Sequence, residues 1–406
     1  MGACQDFSDV QFEVRSNGVP SAGQSVLITL PSGFTWADGT PGSTRVFTSD
    51  ANGLVTVAPI TAGAVPGTAT ITATVLPNGP TAGATVEVAG AVAREFSTLN
   101  NFYRQLGGIP LNSAAIAWNI FLAPNGDLFW YDSSASPVSY FLIDSGVTSA
   151  VGQHYTGPHA SQSLVEVDQV TYVAGGVAKT WQRALNAGAP ASASFGTIAG
   201  AVAVGGATYL AGTTLYHGNT VIATGVTSAV AQHYAAPNGS VMDLITYVDA
   251  TGGHTGTHNG TTYSPANNFG LVPAGSTAVG WNTFLAPNGN LWYYAGGAAI
   301  SVIASNIVSA TAQHGTAGGG QYDFLTYVNS SNVGTWRRSD GASTGTVNLP
   351  GPAKAKGWRT FLTDAGQLYY GATLRDTGVQ SANGWHEPES AGTEQDWLAW
   401  TALSGC

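Results

Sequence analysis

Apolar and polar residues alternate in short runs along the whole chain. Within residues 7–89 the runs are "VQFEVRS", "QSVLITLP", "TRVFTSD", "GLVTVAP", "TATITATVL" and "ATVEVAG", parted by Gly, Pro, Asn and Asp. A two-residue period puts alternate side chains on opposite faces of a pleated strand, and runs recurring about every ten residues predict two packed sheets. No stretch sustains the period of an amphipathic helix.

Downstream, the alternation is organised into a repeat. "AWNIFLAPNGDLFWYD" (117–132), "GWNTFLAPNGNLWYYA" (280–295) and "GWRTFLTDAGQLYYGA" (357–372) are versions of one phrase, with a degenerate copy, "VGGATYLAGTTLYHG" (204–218). Each is followed by a second phrase: "GVTSAVGQHY" from Gly146, "GVTSAVAQHY" from Gly225, "NIVSATAQHG" from Asn306 and "GVQSANGWHE" from Gly378. A third comes next, "DQVTYV", "DLITYV", "DFLTYV" and "DWLAWT". The period is about 79 residues, and each copy holds two strand groups of roughly 39 residues, close to one four-stranded propeller blade. Such a sheet cannot bury both faces alone, so blades stack around an axis. Four doublets predict an all-β chain whose residues 91–406 form an eight-bladed β-propeller. The fourth copy stops short of its last two strands, and "REFSTLN" (94–100) and "FYRQLGGIPLN" (102–112) supply them, so residues 94–112 are expected to close the ring. A linear β-solenoid and a pair of four-bladed units are the rival architectures; the first needs a shorter period, the second two closures. The array resembles propeller lectins and WD-type propellers in general form.

Residues 7–89, within a domain expected to span 1–90, resemble a known family. "SNGVPSAGQSVLITLPSG" followed by "TSDANGLVTVAPITAGAVPGTATITATV" is similar to the bacterial immunoglobulin-like domains of the invasin and intimin type, with their DANG-type turn and late GTATITATV-type strand. The resemblance implies an Ig-like β-sandwich that spaces or presents another module outside the cell; it assigns no chemistry.

Composition narrows the partners. Hydrophobic residues make up 44% of the chain and charged ones only 8%, with 54 glycines and 19 prolines, a balance of strands and turns. The net charge of −10 and the lack of a basic cluster exclude a nucleic-acid partner and argue against an anionic membrane surface. No apolar run is long enough to span a bilayer, so no membrane insertion is expected. No signal-peptide core precedes Gln5, which leaves a protein exported by a segment outside this sequence or a virion component such as a tail, decoration or receptor-binding protein. The two cysteines, Cys4 and Cys406, are candidates for a bridge suited to an oxidising compartment; two free thiols, or a lipid-bearing Cys4, are the other readings.

Four histidines recur at one place in the repeat, His154, His233, His314 and His386, and four aspartates follow, Asp168, Asp243, Asp323 and Asp396. One reading is a ring of polar sites offering imidazole and carboxylate to sugar hydroxyls. The other is a buried pair tying two strands, which satisfies both groups internally. Spread around a ring, the pairs cannot converge on one metal ion, and His254 with His258 are too few ligands; no metal and no cofactor is expected. Trp118, Trp281 and Trp358 share one repeat position, with Gly206 in the degenerate copy. They are either packing wedges or aromatic platforms for sugar rings, and tolerated loss at Gly206 points to partial exposure. Glu387, Glu389 and Glu394 are the acids that a glycosidase would use, and no other catalytic motif is present. The leading expectation is a non-enzymatic binding protein on an outer surface, recognising glycans at several weak equivalent sites. A virion protein and a glycoside-active enzyme are the alternatives.

Overall fold

The computed structural model describes residues 10–403 apart from 32–33, 37, 39–41, 58, 62–66, 89–90, 99–100, 133–137, 160–161, 185–188, 237–239, 271, 296–299, 318–319 and 389–393. Every regular element among the described residues is a β-strand. Cys4, Cys406 and Glu389 lie outside them. Among the described residues no helix is long and apolar enough to cross a membrane. The chain divides into two compact units, the first essentially Met1–Val92 and the second Ala93–Gly107 with Asn112–Ala402.

In the first unit the alternating runs become strands. One sheet has the order Thr81–Val88, Gly67–Val75, Ser25–Thr29 and Thr44–Thr48, and Gln11–Glu13 pairs with Leu54–Thr56. Alternate residues bury Val26, Ile28, Val55, Ile71 and Val86 around Trp36. The DANG turn is fixed by the Asp50 carboxylate, whose Oδ1 accepts from the backbone N–H of Asn52 and of Leu54, both at 2.8 Å. Gly53 ends it at φ 73°, where a Cβ would stand 2.5 Å from the Val14 carbonyl oxygen.

The second unit holds eight four-stranded antiparallel sheets among the described residues. In chain order, sheet 1 opens at Ala114–Ala117, sheet 2 at Val147–His159, sheet 3 at Ala201–Gly205 and sheet 4 at Ser228–Ala235. Sheet 5 opens at Thr277–Gly280, sheet 6 at Ile307–Ala317, sheet 7 at Ala353–Ala355 and sheet 8 at Val379–Pro388. Sheets 1 to 7 are simple meanders. Sheet 8 takes Val379–Pro388 and Glu394–Leu403 from one end of the unit and Ala91–Ser97 and Phe102–Ile109 from the other, in that order. Phe96 and Leu398 share one buried cluster with Trp400 and Leu368, and Gln395 Nε2 donates to Ser97 Oγ across 298 residues of sequence.

The repeated phrases are the joints between sheets. Each opens on a left-handed residue, Gly146 (φ 66°), Gly225 (75°), Asn306 (60°) or Gly378 (67°), followed by a buried Val or Ile. The serine two places later reaches the opening strand of the following sheet. Ser149 Oγ accepts from Ala203 N (3.0 Å), Ser228 from Ala278 N (3.0 Å), Ser309 from Ala355 N (3.1 Å) and Ser381 from Ala115 N (3.0 Å). Sheet 8 is thereby tied to sheet 1.

Candidate functional site

The residue before each histidine ties one even-numbered sheet to the next. The Gln153 amide donates to His233 O (3.2 Å) and accepts from His233 N (2.6 Å), and Gln232 holds His314 in the same way (2.5 and 2.8 Å). Gln313 accepts from His386 N at 3.2 Å. The fourth position carries Trp385. These residues, with Trp281 and the apolar side chains of Val151 and Val230, line a cavity of about 220 Å³ between the opening strands of sheets 2, 4, 6 and 8.

The histidine and aspartate meet across a hairpin in each even-numbered sheet, His154 opposite Asp168, His233 opposite Asp243, His314 opposite Asp323 and His386 opposite Asp396. Each pair is joined Nδ1 to Oδ1 at 2.5–2.8 Å. The second carboxylate oxygen accepts from the preceding sheet: from Trp130 Nε1 on Asp168 (2.7 Å), from His217 Nε2 on Asp243 (2.6 Å), from the Tyr293 hydroxyl on Asp323 (2.6 Å) and from the Tyr370 hydroxyl on Asp396. Three donor chemistries thus occupy one repeat position. All four aspartates are buried. Burial pushes the Asp243 carboxyl up, but hydrogen bonds from His217 and His233 outweigh it and hold the group below the usual carboxylate range. Nothing in this arrangement leaves the aspartates open to a ligand.

Trp118 and Trp358 are buried, at 3% and 2% exposure, whereas Trp281 is half-buried. The difference lies in what each meets. Trp118 packs on Trp397 with ring centroids 4.2 Å apart and Trp358 on Phe324 at 5.1 Å, and these partners directly follow Asp396 and Asp323. After Asp243 the residue is Leu244, which lines the cavity together with Trp281. The missing tryptophan of the degenerate copy does not reflect exposure. Gly206 sits at φ 46°, and a Cβ there would lie 3.0 Å from Asp243 Oδ1.

Sequence reasoning missed the residue that follows those tryptophans. Asn119, Ala207, Asn282 and Arg359 turn the chain between the first two strands of sheets 1, 3, 5 and 7, all left-handed with φ of 59°, 50°, 57° and 54°. It also missed the roofs of the four junctions. The Arg183 guanidinium lies 4.2 Å over Trp130, Arg338 lies 4.5 Å over Tyr322, and Arg359 lies 5.6 Å from the Trp336 and Trp358 rings and 6.0 Å from Tyr370. At the remaining junction His217 stacks on His258, with centroids 3.5 Å apart and planes 20° apart. Burial, then the neighbouring His217, holds the His258 imidazole below its ordinary basicity. The first junction also contains Glu95, 1% exposed, whose carboxyl burial pushes up to about 8 against a weaker pull from Arg104, 3.9 Å away. Asn119, with its amide oriented to accept from Trp118 Nε1 (2.8 Å), donates to Glu95 Oε2 at 3.0 Å. Glu387 and Glu394 stand near the far end of the last hairpin. Among the described residues no group of three His, Cys, Asp or Glu side chains could hold a metal ion.

No family model and no curated protein matches the chain. Solved structures do show a likeness. AofleA from Arthrobotrys oligospora has 11% identity and a TM-score of 0.38, over 72% of this chain and 80% of that one. The fucose-specific lectin from Aleuria aurantia has 13% identity and a TM-score of 0.32, over 75% and 89%. The Dos1 propeller has 7% identity and a TM-score of 0.28, over 98% and 96%. The chain is all-β, and its structural neighbours include fucose-binding lectin β-propellers.

Proposed function

We propose that the second unit is an eight-bladed β-propeller and that the protein is a non-enzymatic, multivalent glycan-binding protein. The ring is supported by the run of serine and carboxylate hydrogen bonds that passes from sheet to sheet and returns from sheet 8 to sheet 1. Residues 1–90 are its Ig-like sandwich, a presenting module on an outer surface. The observation that carries the glycan reading is the repeated roof over the buried His–Asp clamp: a guanidinium or imidazole laid on an aromatic ring. The ring beneath is itself covered, Trp130 at 2% exposure, so the cation of each roof is the part offered, a fixed donor for sugar hydroxyls. The clamp beneath sets the ring's position and the roof makes the contact. Several weak copies on one rigid platform gain avidity for a multivalent surface while each remains feeble alone.

A glycan array probed with the full chain tests this. Binding to at least one glycan class, lowered about tenfold or more by combining Arg183→Ala with Arg338→Ala, is the expected result. Silence across a broad set of bacterial and host glycans would sink the reading.

A further inference from the structure

The junction between sheets 7 and 8 differs from the other three. Two guanidinium groups converge there on one aromatic ring, Arg375 at 5.5 Å and Arg359 at 6.0 Å from the Tyr370 centroid, and Arg375 also lies 4.2 Å over Phe96. The chain has only 12 Lys and Arg residues against 22 acids, so two cations beside one ring are a local excess. The acids nearby are already engaged. Asp396 accepts from His386 and Tyr370 and stands 4.0 Å from Arg359 Nη1, while Asp376 is taken by Arg94 and by Trp400 Nε1. Arg375 makes no ion pair among the described residues, and the Nε atoms of Arg359 and Arg375 are both buried without an acceptor. Arg359 spends two of its five donors on long contacts, Nη1 to the Tyr370 hydroxyl (3.4 Å) and Nη2 to Ser343 Oγ (3.2 Å), and its side chain remains 33% exposed.

The backbone reinforces the contrast. Arg359 is held left-handed at φ 54°, a conformation that Asn119 and Asn282 adopt at the equivalent turns with a residue type that tolerates it. A β-carbon with a long side chain is strained there, and strain of this kind collects where a side chain must be aimed.

We infer that Arg359 and Arg375 form a carboxylate-binding subsite, so that this junction takes an acidic sugar, a uronic or sialic-type acid. A planar carboxylate matches the guanidinium fork in a bidentate pair. The inference rests on the glycan reading and narrows it to an anionic ligand at one of the four junctions.

The test titrates the full chain with D-glucuronate, N-acetylneuraminate, D-glucose, L-fucose and acetate by ligand-observed NMR at low and physiological salt. The wild type is expected to bind an acidic sugar at least tenfold more tightly than the neutral ones and than acetate, and to lose that margin as salt rises. Arg359→Asn, which installs the residue of the sister turns and keeps the fold, and Arg375→Gln should each abolish the margin. Melting temperatures at or above the wild-type value for Arg359→Asn would confirm that the loss is local. Neutral sugars binding as well as acidic ones, or an acidic-sugar preference that survives the double variant, would overturn the subsite and leave the glycan reading standing. Acetate binding as tightly as the acidic sugars would overturn the sugar assignment. No sugar binding of any kind, together with a silent array, would overturn both.

Discussion

Glu95 gives the most quantitative test of how the closing strand is seated. Its carboxyl is 1% exposed, Oε1 has no hydrogen-bond donor among the described residues, and burial raises its proton affinity from 4.5 to about 8. The folded state therefore keeps a proton that the unfolded chain releases. For an acid with a raised folded value, the stabilisation is fully present below about pH 4.5 and is lost as pH climbs through about 8. Each pH unit in that window removes about 1.4 kcal/mol, so the full span is worth up to about 5 kcal/mol. Relaxation of the surroundings around the ionised carboxyl brings the expected value to about 2–4 kcal/mol. Glu95→Gln keeps the shape and the acceptor for Asn119 but cannot ionise. Wild type and variant should be equally stable to within about 1 kcal/mol near pH 5. At pH 9 the variant should be the more stable by about 2–4 kcal/mol, several degrees in melting temperature for a unit of this size. Thermal and urea melts of both proteins from pH 5 to 9 read the difference, in which the other titrations cancel. A difference that stays flat over that range would refute the argument, because it would mean that Glu95 is already ionised in the folded state.

Two further substitutions test the packing. Trp358→Ala removes a fully buried ring and should cost about 3–5 kcal/mol, whereas Trp281→Ala, at a half-buried ring on a cavity, should cost clearly less; equal losses in chemical denaturation would contradict the burial contrast. Gly206→Ala should destabilise by about 1–3 kcal/mol, because the new methyl presses on Asp243 in a left-handed turn; an unchanged melting temperature would show that the turn adapts.

The all-β run of four-stranded sheets was legible because repetition marks structural roles letter by letter. Ser149, Ser228, Ser309 and Ser381 recur because each reaches the next sheet, and the histidines and aspartates recur because a hairpin register sets them opposite one another. What the phrases could not disclose is which atoms cross between sheets, since Ser149 meets Ala203 and Gln153 meets His233 only once the sheets are stacked. The burial of Trp118 and Trp358 had a signal that went unread: Trp397 and Phe324, each directly after a repeat aspartate, where Leu244 stands opposite Trp281. Gly206 misled because the loss of a ring suggests a surface position, while its cause is the Asp243 carboxylate from the next sheet. Arg359 was invisible for a different reason. A left-handed backbone is marked in sequence by Gly or Asn, and an arginine in that conformation gives no such mark.

Sheet 8 draws strands from both extremities of the second unit, with Gln395 bonded to Ser97 across 298 residues. The ribosome therefore delivers one half of that sheet long before the other. Until the second half emerges, Ala91–Ser97 waits with an unsatisfied edge, and any chain truncated before residue 394 keeps two raw edges for good. Shortened products should therefore accumulate as aggregates rather than as smaller folded units.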